Sequence, residues 1–337
     1  MFLFALATLA PVPVLVAGAW LGGGWALAAF AMMAGLSAAM DGLVAYAMPA
    51  DAGEAEFPAG TALSVCLACA HFGLLALAVP SIAAAPFWQA LLLVAAFGLY
   101  FGQVSNANAH ELIHRPTRGL RRLGVWVYIS LLFGHHASAH PLVHHRYVAS
   151  DQDPSSAREG EGFYRFAARA WRGSFRDGLR AERDRLARVG RAAWWQNPYA
   201  IYIGGALVCL MLATAAAGWR GLVAYLALTT VATAQLLLVD YVQHYGLRRA
   251  RLPNGKLEPV GPAHSWNAPH WYSSAMTLNA PRHSDHHAHP ATPYPALRLP
   301  ADAPLLPRSL QVMATLALFP RPWKRVMGAR LAALRAP

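Results

Sequence analysis

Three short strings, HELIH, HPLVHH and HSDHH, place eight histidines at spacings that could hold metal, and His244 in DYVQHYG offers a ninth. In an α-helix, residues three and four apart share a face. His110 with His114, His140 with His144, and His283 with His286 and His287 can therefore each converge on one point. A structural zinc takes about four ligands and a catalytic zinc about three, so nine imidazoles imply two metals or one over-supplied site. Imidazole suits iron, zinc, copper and nickel alike, so the ligand type does not choose the ion. Neutral rings leave the charge of two divalent ions uncompensated, which calls for acids. Glu111, Asp240 and Asp285 are placed to hold ring N–H groups or balance charge, and Asp240 lies one helical turn before His244, within reach of a hydrogen bond. Fourteen of the fifteen histidines fall between His110 and His289. His71, alone in an apolar stretch, reads as a hydrogen-bonded helix residue. His135, His136, His264, His270 and His289 are surplus to the nine and read as supporting or polar interface residues.

The elements that must position these rings are membrane helices. The chain has 337 residues, 56% hydrophobic and only 13% charged, against roughly one quarter charged in a soluble domain. Apolar stretches near 2–21, 25–48, 61–85, 87–109, 199–217 and 221–244 each approach the ~20 residues that cross a bilayer. The expected fold is an all-α integral membrane protein with six transmembrane helices in one domain, its histidine-rich segments being 110–198 and 245–337. Gly22-Gly23-Gly24, Pro86 and the 218–221 region make short turns, which predicts three antiparallel hairpins. Leu123 to Phe133 is apolar but too short to span, and reads as interfacial or re-entrant. The apolar N-terminus has no basic leader and reads as the first span rather than a cleaved signal. Cys66, Cys69 and Cys209 all lie in apolar stretches, which argues against disulfides and thiolate metal sites; the first two read as helix-packing residues. Trp20, Trp25, Trp88, Tyr100 and Phe101 read as interfacial belt or packing.

Charge gives the orientation. No lysine or arginine precedes Arg115, and Arg220 alone falls in a loop on the opposite side. The positive-inside rule then puts the histidines and both termini in the cytoplasm. The basic run from Arg158 to Arg191 reads first as topology and lipid headgroup attraction, with docking of an acidic redox partner as its functional alternative. No nucleic-acid motif accompanies it.

HELIH also matches the HExxH signature of zinc proteases, in which glutamate is the general base. That reading leaves seven of the nine histidines without work. The histidine boxes instead resemble those of the membrane fatty acid desaturase and hydroxylase superfamily. The longer strings HELIHR, DQDPSSAREGEGFYRF, DYVQHYG and RHSDHHAHPATPYPAL are similar to its alkane 1-monooxygenase and xylene monooxygenase branch. That resemblance implies a non-haem di-iron centre ligated by His110, His114, His140, His144, His145, His244, His283, His286 and His287, in a bacterial inner membrane. It further implies O2 as co-substrate, a rubredoxin or ferredoxin with its reductase as electron donor, and hydroxylation of an alkane, alkyl chain or alkylarene entering from the bilayer. The chain departs from the branch at Ala139 and Gln243, where glutamates are usual, at Val143, usually glycine, and at Asp240, usually asparagine. A desaturase of the same superfamily is the related alternative, and an HExxH zinc intramembrane hydrolase the alternative of another class. A metal transporter would place ligands along its spans, whereas these cluster at their ends.

Overall fold

The computed structural model describes residues 1–43, 57–191 and 193–335, and these are organised by helices. Helix α1 runs Phe2–Leu21, α2 Gly23–Leu43, α3 Phe57–Ala84 and α4 Phe87–Ile113. A 47-residue helical stretch, Pro198–His244, breaks at Ala217 and Gly218, giving α8 (198–216) and α9 (219–244). Among the described residues, five stretches are long and apolar enough to cross a membrane, and the break divides the last into lengths of 19 and 26 residues. Helices thus run through all six apolar stretches expected to span, the last two as one interrupted helical stretch, and residues 44–48 of the second lie outside the described residues.

The reversals follow from glycine. Gly22 (φ 62°, ψ −152°) and Gly218 (φ 59°, ψ −152°) adopt the same left-handed conformation, which costs glycine little and other residues more. At the second turn a side chain on Gly221 would meet the Ala213 carbonyl. Eight residues of straight helix span about 12 Å, so the chain must double back there. The turn at Gly22 is tied to the α3–α4 turn by the Gly23 N–H, which donates to Gln89 Oε1 at 3.2 Å. Trp20, Trp25, Trp88 and Trp219 stand exposed around this end of the bundle, as an interfacial belt does. Tyr100 and Phe101 are instead wholly buried, the Tyr100 hydroxyl donating to the Thr8 carbonyl at 3.2 Å.

Helices α4 and α9 approach closely because α4 carries glycine where they meet. A methyl group on Gly98 would come within 2.7 Å of Val231, and one on Gly102 within 2.5 Å of Gln235. Small residues spaced four apart are a common device for close helix contact in lipid. Cys66 and Cys69 are exposed; they face outward from α3 rather than packing within the bundle, which corrects their expected role.

The segment after α4 turns back into the bundle. Helix α5 (Arg118–Ser130) keeps Arg118, Arg121 and Arg122 exposed and buries Val127 to Ser130. Its far end meets the middle of α3, where His71 Nε2 lies 2.8 Å from Ser130 Oγ, and α9, where the Tyr225 hydroxyl donates to the Ser130 carbonyl at 2.6 Å. Leu132 turns the chain with φ 57°, and α6 (136–147) returns. Non-helical backbone at this depth is tolerated because protein surrounds it. Outside the bundle, α7 (Phe163–Ala187) buries Phe163, Phe166, Ala170, Ser174, Gly178, Glu182 and Leu186, the three-and-four spacing of an amphipathic helix. Short helices α10 (Trp271–Met276) and α11 (His283–Ala288), then α12 (Leu310–Ala317) and α13 (Pro320–Arg335), complete the fold. Asp41 on α2 anchors α10 by accepting the Tyr272 and Ser273 N–H groups at 2.9 and 3.3 Å.

Candidate metal centre

Four elements deliver the nine histidines to one end of the bundle: the end of α4, α6, the end of α9, and α11. They form two groups, His110, His114, His140, His145 and His286 in one and His144, His244, His283 and His287 in the other, with the ring nitrogens of each group within 4.8 Å of one another. The groups adjoin, the His145 and His287 rings being 4.6 Å apart.

The partition differs from the simple spacing expectation. His140 and His144 do not converge on one point. Residues His140–His144 form a π-helical turn, which widens the turn so that His145, five residues on, joins His140 while His144 faces the other group. The Nε2 atoms of His140 and His145 are 2.9 Å apart. On α11, His283 and His287 share a group with Nε2 atoms 3.0 Å apart, and His286 faces the other one, 3.2 Å from His145. His110 reaches His140 at 2.8 Å, and His244 reaches His283 at 2.9 Å.

These spacings fit metal. Nitrogens bound about 2.1 Å from a common ion at right angles lie roughly 3 Å apart. His114 Nε2 and His144 Nε2 point into the groups, buried and without a hydrogen-bond partner. Burial pushes His114 down to about 4 and His140, His145, His283, His286 and His287 well below the usual imidazole range. Rings kept neutral retain the lone pair that a metal needs.

The acids are distributed otherwise than expected. His144 Nδ1 lies 2.8 Å from Asp153 Oδ2, and Asp153 also accepts the Ser156 hydroxyl at 2.7 Å and the Ser155 N–H at 3.0 Å. Burial disfavours both charges, but their attraction and hydrogen bond prevail, raising His144 and lowering Asp153. Asp153 was not singled out from sequence; its signal was the DQDPSS turn. Glu111 pairs with Arg115 at 2.5 Å and accepts the Tyr294 N–H at 3.4 Å, so it is not aimed at an imidazole of either group. Asp285 binds His289 Nδ1 at 2.9 Å and the Arg298 N–H at 2.7 Å. Asp240 faces a cavity rather than bonding His244. Of the surplus histidines, His135 meets Ser174, His264 meets Glu258 and His289 meets Asp285; His136 packs against His140 with ring centres 4.9 Å apart.

That cavity, about 70 Å³, runs between α4 and α9 with α12 along one side. His110, His140 and His283 line it at the imidazole end, and Gly102 and Gln103 line it two turns earlier on α4.

Membrane-length helices, with nine imidazoles gathered in two groups at one end of the bundle, define a helical fold built around a histidine-rich candidate metal centre. Residues 84–316 match the fatty acid desaturase family, and the chain belongs to it. It is 33% identical to alkane 1-monooxygenase 2 of Pseudomonas aeruginosa over 71% of this chain and 64% of that protein. It is 32% identical to alkane 1-monooxygenase 1 of Alcanivorax borkumensis over 72% of this chain and 60% of that protein, and 31% identical to the alkane 1-monooxygenase of Acinetobacter baylyi over 73% and 60%. The match thus spans somewhat less than two thirds of these relatives' lengths.

Proposed function

We propose that the protein is a di-iron monooxygenase that hydroxylates C–H bonds of an apolar substrate drawn from the bilayer. The observation that carries this reading is the pair of adjoining imidazole groups, three of whose rings line a cavity running along α4. Likeness to alkane 1-monooxygenases supports the reaction class. His110, His114, His140, His145 and His286 would hold one iron, and His144, His244, His283 and His287 the other. Two irons bound there supply reductive activation of O2, in the overall conversion of R–H, O2, two electrons and two protons to R–OH and water. Electrons come from a rubredoxin or ferredoxin with its reductase. The chain's own contribution is geometry and dryness. Asp153 holds His144 through Nδ1 and so presents Nε2 to its group, and the packed walls of α4 and α9 restrict water.

Positive charge concentrated on the histidine side supports a cytoplasmic orientation for that face, in a bacterial inner membrane. The zinc hydrolase alternative is less well supported, because Glu111 is engaged by Arg115 and Tyr294. Metal analysis of purified protein, with incorporation of labelled oxygen from O2 into product, tests the reading. Two irons per chain and label in an alcohol are expected; zinc without iron, or an unlabelled product, overturns it.

A further inference from the structure

The cavity has a wall that a plain hydrocarbon does not explain. Amides line it at Gln103, Gln235, Gln243 and Gln311, beside the apolar Leu236 and Val239. Gln103 Oε1, Gln243 Oε1 and both amide atoms of Gln311 are buried and make no hydrogen bond. By contrast Asn106, in the same wall, is satisfied by the Gly102 and Ala232 carbonyls at 3.2 and 2.9 Å. Gln243 spends its N–H on the Ala280 carbonyl at 2.8 Å, which leaves its oxygen free. Buried amides without partners are costly, and sites that bind small molecules place such groups to fix orientation.

We infer that the cavity takes an amphiphile, an apolar chain or ring system bearing a hydroxyl group, rather than an unfunctionalised alkane. The inference rests on the hydroxylase reading and narrows its substrate class. The donor and acceptor inventory selects the group. Three free carbonyl oxygens, on Gln103, Gln243 and Gln311, need donors, which ethers, ketones and esters lack. Gln311 offers both a donor and an acceptor. A hydroxyl supplies one O–H donor and two lone pairs, so it satisfies an oxygen and accepts from the Gln311 amide at once. Gln103 lies two helical turns from His110, so a hydroxyl held there leaves the remainder of the molecule to extend towards the imidazoles.

Competition binding with the full chain in lipid nanodiscs tests this. Radiolabelled dodecanol is displaced by unlabelled dodecanol, by dodecyl methyl ether and by dodecane. The alcohol is expected to compete at concentrations about tenfold lower than the other two, the worth of one good hydrogen bond. Gln311→Leu should bring the three close together, and Gln103→Leu should narrow the gap. Gln311→Met, closer in shape to glutamine, serves if the leucine variant does not insert. Equal competition by all three compounds in the wild type, or a preference unmoved in the variants, overturns the inference. Alcohol-selective binding without O2-dependent product would leave the cavity assignment standing and remove the hydroxylase reading. Alkane hydroxylation with no selectivity for the alcohol would do the reverse.

Discussion

The two imidazole groups are unequal. In the four-membered group every ring is buried, and one ring is braced by a carboxylate, Asp153 on His144. The five-membered group has three partly exposed rings, His110, His114 and His145, and among the described residues no carboxylate is hydrogen-bonded to any of its rings. Two of its members, His110 and His140, line the cavity, against one, His283, from the other group. A closed, acid-braced site and an open, uncharged one beside the cavity should differ in how tightly they hold metal and in what reaches it. The closed group should resist exchange, and the open one should meet substrate.

The sharpest way to break this comparison is at His286 and His287, adjacent residues that face different groups. His286→Ala and His287→Ala should each reduce hydroxylation by more than about a hundredfold, since losing a ligand exceeds the 10–100-fold cost of losing a supporting group. Each should cost metal from its own group, so Mössbauer spectra of iron-loaded variants should lose different components. Identical spectral losses would dissolve the two-group partition, and wild-type turnover in either variant would remove that residue as a ligand.

Asp153→Asn is the next largest expected effect. The amide keeps the shape but not the charge, and metal affinity of the four-membered group alone should fall about 10- to 100-fold. Competitive chelation read by spectroscopy would show one class of metal leaving early. Uniform loss from both groups would deny Asp153 a local role.

Much of this was legible in the residues, and the failures have physical causes. Hydropathy located the long apolar helices because lipid demands about twenty apolar residues per crossing, and the Gly22 and 218–221 turns followed from glycine. Clustered histidines marked the site because ionisable groups at membrane ends rarely lack function. Periodicity assumed 3.6 residues per turn, and the π-turn at His140–His144 violates that assumption, so the pairing of His140 with His145 was not visible. Spacing along one helix also says nothing about partners from elsewhere. Glu111 and Asp285, next to histidines in sequence, turn to Arg115 and His289, while Asp153, nine residues from His144, folds back onto it. Cys66 and Cys69 were misplaced for a related reason: an apolar helix in lipid gives no periodic signal separating its packed face from its outer one.

A smaller effect appears in pH. Burial lowers His114 from 6.5 to about 4, so between those values the unfolded ring binds a proton that the folded ring excludes. Stability therefore falls as pH drops from about 6.5 towards 4, and is independent of this group above 6.5. The metal-free protein should show that loss in its Tm, and His114→Phe, which cannot titrate, should flatten part of it. Metal binding requires the neutral ring and should widen the difference between loaded and metal-free protein near pH 7, a difference that shrinks on acidification.

Asp285→Asn should have the least effect of all, and for that reason it sharpens the contrast with Asp153. Asp285 belongs to a histidine-rich string and Asp153 follows one, nine residues after His144, so each sits within a helical turn or a short loop of proposed ligands. The Asp285 carboxylate, however, pairs with His289, whose side chain is 67% exposed, and such exposed pairs contribute about 0–1 kcal/mol. Its second oxygen accepts the Arg298 N–H, a role that asparagine oxygen can retain. The variant should keep full metal content and near-normal turnover, with a Tm lowered by a few degrees at most. If it instead lost metal as Asp153→Asn is expected to, charge near the centre would matter irrespective of which ring it touches, and the hydrogen bond to His144 would no longer explain why one group is braced and the other is not.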